Sequence, residues 1–142
     1  MFVESRYFDE GNPSNLSPEK ITPDKVYHLN PNEVFVFGSN VKGVHSGNAA
    51  LVAVRKFGAS LGVAEGLQGR SYAIPTVGLS FEDMKKGIDR FFEYAKKHPH
   101  LKFWVTRIGC GTAGYSDSVM APLFLQAKSL PNVALPKEWW FC

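Results

Sequence analysis

"EVFVFGSN", residues 33–40, reads as a strand that runs into a glycine. Val34 to Phe37 are four consecutive apolar β-formers with no polar alternation, the pattern of a strand covered on both faces, and Gly38 breaks the run. Such strands belong to parallel or mixed sheets with helices packed above and below, so this segment points to an α/β fold.

Working outward, a polar loop is expected over 38–47. "GNAALVAVRKFGAS" then spaces Ala50, Ala53, Val54, Phe57 and Leu61 as one stripe of a helix, with Gly62 as its stop. In "EGLQGRSYAIPT", Ser71 to Ile74 is a short strand whose end is set by Pro75. Ser80 and Asp83 form an S-x-x-D box ahead of Met84, Ile88, Phe91, Phe92 and Ala95, which predicts a helix from about 81 to His98 and Pro99. On its wet side Glu82 and Lys86, and Glu93 and Lys97, fall at i,i+4. Phe103 to Ile108 reads as a strand, about 118–129 as a helix, and "NVALP" as a last short strand. Upstream, Pro13, Pro18, Pro23 and Pro31 make 9–33 loops and turns, with at most a short helix or strand near 23–29. The order is βαβαβαβ, and in such folds ligands sit outside the carboxyl ends of the strands.

The 142 residues suit one domain, 1–142, with 1–25 as a loop-rich lead-in. With 44% apolar and 20% charged residues, disordered and fibrous classes are excluded. A net charge of +3 is too small to argue for a nucleic-acid or membrane partner. Cys110 and Cys142 are too few for a disulfide framework or a four-ligand zinc site, and no run of about 18 apolar residues occurs. The expectation is a cytoplasmic protein without a metal or cofactor. His28, His98 and His100 suggest neither a metal site nor a triad. Trp139, Trp140 and Phe141 either pack onto the domain edge or cover a partner surface.

Two glycine-rich loops each follow a strand and open a helix: "GSNVKGVHSG" and "GCGTAGYS". Backbone amides and helix amino termini at one sheet edge can cradle a diphosphate without a lysine. From the first loop the candidate ligand residues are Gly38, Ser39, Asn40, Gly43, Val44, His45, Ser46 and Gly47. From the second they are Gly109, Cys110, Gly111, Thr112, Ala113, Gly114 and Tyr115, and Thr76 after the 71–74 strand completes the set. A short βα turn can be a plain surface connection, but neutral hydrogen-bonding side chains beside three glycines in residues 38–47 suit ribose hydroxyls and phosphate oxygens. "GCGTAG" satisfies G-x-G-x-x-G, yet only 28 residues follow Gly114, too few for a Rossmann half, and no Walker A sequence is present. Cys110 is either a nucleophile near a helix amino terminus or, more simply, a small apolar filler. His45 as acid or base, with Asn40 positioning a water, makes a catalytic pair for a ribosyl or phosphoryl substrate.

With both loops in view, the sequence resembles the macrodomain superfamily of ADP-ribose-binding modules, nearest to the terminal ADP-ribose glycohydrolase branch. "RIGCG" at 107–111, "GNAALVAVRKFG" at 47–58 and "SYAIPT" at 71–76 carry the likeness. It is also similar to small phage and bacterial macro-like proteins of unassigned role, through "VFVFGSN", "EGLQGRSYAIPT" and "RIGCGTAGY". The resemblance covers about residues 26–136 and implies a three-layer α/β/α sandwich around a mixed sheet. It also implies ADP-ribose or a related nucleotide as partner, its diphosphate between 43–48 and 109–115, and its distal ribose near Asn40 and Tyr115. The branch's lysine is replaced by Thr76, and its acid after "RIGCG" by Thr112 and Ala113. Those residues supply neither a covalent adduct nor a general acid or base. No acid clearly matches the one that recognises adenine. The expectation is a nucleotide-metabolite binder whose inherited residues do not support hydrolysis. A hydrolase built on His45 and Asn40, and a protein-interaction module, are the alternatives.

Overall fold

The structure is a computed structural model and describes residues 17–45 and 47–141; Ser46, Cys142 and residues 1–16, including Pro13 and much of the lead-in, lie outside them. Its strands are β1 (Ile21–Thr22), β2 (Glu33–Asn40), β3 (Gly66–Gln68), β4 (Ser71–Val77), β5 (Lys102–Val105) and β6 (Val133–Pro136). Helices α1 (Asn48–Lys56), α2 (Phe81–Lys97) and α3 (Asp117–Met120) join them, with 3-10 turns at Pro18–Lys20, Ala121–Ser129 and Lys137–Trp140. The strands form one sheet in the order β1-β6-β5-β2-β4-β3. Five run parallel, and β3 is antiparallel to β4. The fold is therefore α/β with a mixed six-stranded sheet.

Alternation along β2 divides the core. Phe35 and Phe37 pack with Ala50, Ala53 and Phe57 of the α1 side, while Val34 and Val36 pack with α2, the 121–129 turn and the carboxyl terminus. Helices thus lie on both faces, and β2 is buried between them as its unbroken apolar run requires. On the α2 side, Phe91, Phe92 and Phe103 are fully buried, each worth about 1.5–3 kcal/mol of apolar transfer. Trp139 and Trp140 are buried in the same cluster, whereas Phe141 is 39% exposed. The aromatic tail is mainly core.

The α2 prediction matches the structure: the Ser80 side chain accepts from the Asp83 amide and His98 is the C-cap. Its helix surface differs, since Glu93 pairs with Lys96 at 3.3 Å. Elsewhere, long-range pairing moves the boundaries. β2 continues through Gly38, Ser39 and Asn40 because β4 pairs with all three, so the first loop begins at 41. β4 passes Pro75 to Val77; the missing proline N–H is tolerated because β3 pairs only with Ser71 to Ala73. α1 ends at Lys56, leaving Leu61 69% exposed, because the chain turns at Gly58 to cross Gly69. The predicted 103–108 strand ends at Val105, and the 118–129 helix is a short α-helix followed by 3-10 turns beginning beside Pro122. The β3 segment is an additional strand, and the upstream strand lies at 21–22 rather than near 23–29.

Among the described residues no helix is long and apolar enough to cross a membrane.

Candidate functional site

All five parallel strands direct their carboxyl ends to one edge of the sheet. β2 exits into α1 on one face, while its neighbour β5 exits toward α3 on the other. Adjacent strands with diverging exits leave a crevice, the place where open α/β sheets bind ligands. A groove of about 1010 Å³ occupies this position, at the upper end of the range of small-molecule sites.

Both predicted loops reach it. Gly38, Ser39, Asn40, Val44 and Gly47 line the groove from the β2 side. Gly109, Cys110, Gly111, Thr112 and Ala113 line it from the β5 side, with Thr76 from β4. A Cβ built on Gly47 would sit 3.7 Å from Thr112 Oγ1, so the loops meet across the crevice. Gly43, His45, Gly114 and Tyr115 are not among its walls, and Ser46 lies outside the described residues.

The first loop folds around Asn40. Its Oδ1 accepts from the Lys42 and Val44 amides at 3.1 and 3.0 Å, and its Nδ2 donates to the Val44 carbonyl at 2.9 Å. That carboxamide is engaged in shaping the loop. Gly43 adopts a φ of +69°, and a Cβ there would lie 2.5 Å from the Gly62 carbonyl carbon, so only glycine fits. His45 turns inward, 3% exposed, with its ring edge on Phe37 and Nε2 3.1 Å from Gln68 Oε1. Its imidazole faces the protein interior rather than the groove. α1 has no side-chain cap at Gly47. Among the described residues, the amides of Asn48 and Ala49 have no acceptor, as expected of a helix's first turn.

The second loop is tied at its ends and open in its middle. The Gly114 amide donates to Gly111 O at 2.9 Å and the Tyr115 amide to Gly109 O at 2.8 Å. Gly109 has a φ of +82°, and a Cβ there would meet Met120 Sδ and Cε at 2.8 Å. Among the described residues, the amides of Gly109, Gly111, Thr112 and Ala113 have no acceptor. Arg107 holds Asp117 through Nε and Nη2, at 3.0 and 2.8 Å. Asp117 Oδ1 also accepts from Trp139 Nε1 at 2.8 Å and Cys110 Sγ at 3.4 Å. The Arg107 hydrogen bonds, helped by those from Trp139 and Cys110, hold the Asp117 carboxyl below its ordinary range. Arg107 therefore fastens the loop and is already paired. Tyr115 lies against Phe81, ring centres 5.8 Å apart.

Beyond the loops, the groove runs along Thr22, Asp24 and Tyr27, and past Glu138. The sequence reading did not select these four. They converge because β1 and β6 are parallel neighbours whose carboxyl ends lie beside those of β5 and β2. Thr22 is 5% exposed and its hydroxyl has no hydrogen-bond partner among the described residues. Tyr27 is 68% exposed, with Lys56 Nζ 5.5 Å from its ring centre. Thr76 is buried and its hydroxyl donates to the Ser39 carbonyl at 3.3 Å. Among the described residues no group of three or more His, Cys, Asp or Glu side chains could hold a metal ion. No family model matches this chain, and no curated protein or solved structure matches it either.

Proposed function

We propose that the groove binds ADP-ribose or a closely related nucleotide metabolite, with its phosphates between the two glycine-rich loops. The observation that carries this reading is the set of amides at Asn48, Ala49, Gly109, Gly111, Thr112 and Ala113 that have no acceptor among the described residues, all in residues that line one crevice. Such amides favour an anion through fixed dipoles, and α1 adds the positive end of its own. Beyond the two loops the groove is lined by Asp24 and Tyr27, which offer an acceptor and an aromatic surface to a ribose or a base. The mixed sheet with helices on both faces is compatible with the three-layer sandwich this reading requires.

Binding without hydrolysis is the better-supported form of this reading. Thr76 engages a main-chain carbonyl, Asn40 shapes its own loop, and His45 is absent from the groove walls. The hydrolase built on Asn40 and His45 thus loses its acid or base, since His45 is turned inward; the exposed carboxylates along the groove are Asp24 and Glu138. The interaction-module reading is weakened by the burial of Trp139 and Trp140.

Isothermal titration of the purified chain with ADP-ribose, ADP and NAD tests the proposal. Saturable heat with at least one of them, at micromolar to sub-millimolar affinity, is expected. Folded protein that gives no heat and no thermal shift at millimolar ligand would refute it.

A further inference from the structure

The loop after β2 is held from behind by residues 60–68, through contacts set back from the crevice. The Gly62 amide donates to Gly43 O at 2.9 Å, and the Ser39 hydroxyl donates to Ala64 O. At the centre stands Gln68, 6% exposed. Its Oε1 accepts from the Ser60 amide at 2.8 Å and lies 3.1 Å from His45 Nε2; its Nε2 donates to Val63 O at 3.0 Å and Gly66 O at 3.3 Å. The Ser60 N–H fixes which end of the carboxamide is the oxygen, and that oxygen requires the imidazole to carry its hydrogen on Nε2. His45 Nδ1 is buried and has no hydrogen-bond partner among the described residues. The Gln68 carboxamide makes every bond available to it in this arrangement, whereas the His45 ring makes one among the described residues.

We propose that Gln68 and His45, neither of which lines the groove, are positioning residues that lock the loop after β2 in its ligand-ready form. A site that binds through main-chain amides has no flexible side chain with which to adapt, so its affinity depends on how well the loop is ordered beforehand. The Gln68 carboxamide joins three separate pieces of chain, 60–63, 66–68 and 45, and so couples loop order to the β3 hairpin. The role in ligand binding rests on the nucleotide reading of the groove; the locking itself can be measured without ligand.

The test compares wild type with Gln68→Leu, Gln68→Glu, His45→Leu and the His45→Leu/Gln68→Leu pair, by amide hydrogen exchange and by ADP-ribose titration. Gln68→Leu should speed exchange over 41–45 and at Ser60 and Gly62 by about tenfold, as expected for losing about 1.4 kcal/mol of local closure, with β5 and α2 unchanged. Gln68→Glu keeps the acceptor for Ser60 and His45 but sets a carboxylate oxygen against the Val63 and Gly66 carbonyls, so it should open the loop at least as much as Gln68→Leu. The double variant should lose less than the sum of the two single variants, the sign of a shared interaction. ADP-ribose affinity should fall in the same order. The proposal is overturned if exchange in the loop is unchanged, if it rises equally in β5 and α2, or if the two substitutions add. Should Gln68→Leu fail to fold, His45→Leu against wild type makes the same comparison over 41–45, Ser60 and Gly62. Wild type that binds no ADP-ribose would defeat the nucleotide reading, while the exchange data would still decide the lock.

Discussion

The two loops that meet across the crevice are built on opposite plans. The loop after β2 is secured by neutral contacts behind it: Gly43 against Gly62, His45 against Gln68, and Asn40 wrapped by its own neighbours. The loop after β5 is secured at its flank by charge, with Arg107 and Asp117 paired and the Trp139 indole completing the set. One loop therefore depends on shape and the other on ionisation. In both, the fastening is kept apart from the amides that have no acceptor among the described residues, which leaves those amides for a ligand.

The largest expected effect breaks the shape-dependent loop. Gly43→Ala would drive a Cβ into the backbone of Gly62 and Val63 at 2.5–2.8 Å, at a residue with φ +69°. Since backbone cannot rotate away as a side chain can, a loss of about 3 kcal/mol of stability is expected, measured by urea denaturation. A loss below about 0.5 kcal/mol, the range of ordinary surface substitutions, would mean that the loop is not held at that contact.

A smaller effect should come from the charged loop. Asp117→Asn removes one partner of Arg107 and weakens the bond to the buried Trp139 indole, at a cost of about 1–2 kcal/mol. Because the folded-state Asp117 carboxyl is depressed, its contribution is fully present above the ordinary carboxylate range and is lost as pH falls through the depressed value. Wild type and Asp117→Asn should therefore differ in stability near neutral pH and converge in acid. Gly43→Ala should show no such convergence. Parallel curves for wild type and Asp117→Asn across that range would show that ionisation does not fasten the second loop.

Much of this contrast was legible in the residues. The unbroken run Val34 to Phe37 gave the central strand, the Ser80 box gave α2, and the glycine clusters marked both loops at the correct sheet edge. What escaped depends on partners distant in sequence. β3 is three residues, Gly66–Gln68, too short for a detectable alternation, and it exists because it pairs with β4. α1 ends early because Gly58 must pass Gly69, whose Cβ position lies 2.7 Å from the Gly58 carbonyl oxygen. A titratable side chain in a polar loop looks available for chemistry, yet His45 finds Phe37 and Gln68 inside. Asp24 and Glu138 were overlooked because it is the β1–β6 pairing, between segments more than 100 residues apart, that brings both to the groove.

The most direct measurement is an amide-resolved NMR titration of the chain with ADP-ribose. The account predicts that Asn48, Ala49, Gly109, Gly111, Thr112 and Ala113 shift together, with saturation at one shared affinity, while residues 85–97 of α2 stay fixed. Saturating shifts confined to any other face of the molecule, or none at millimolar ligand, would contradict it.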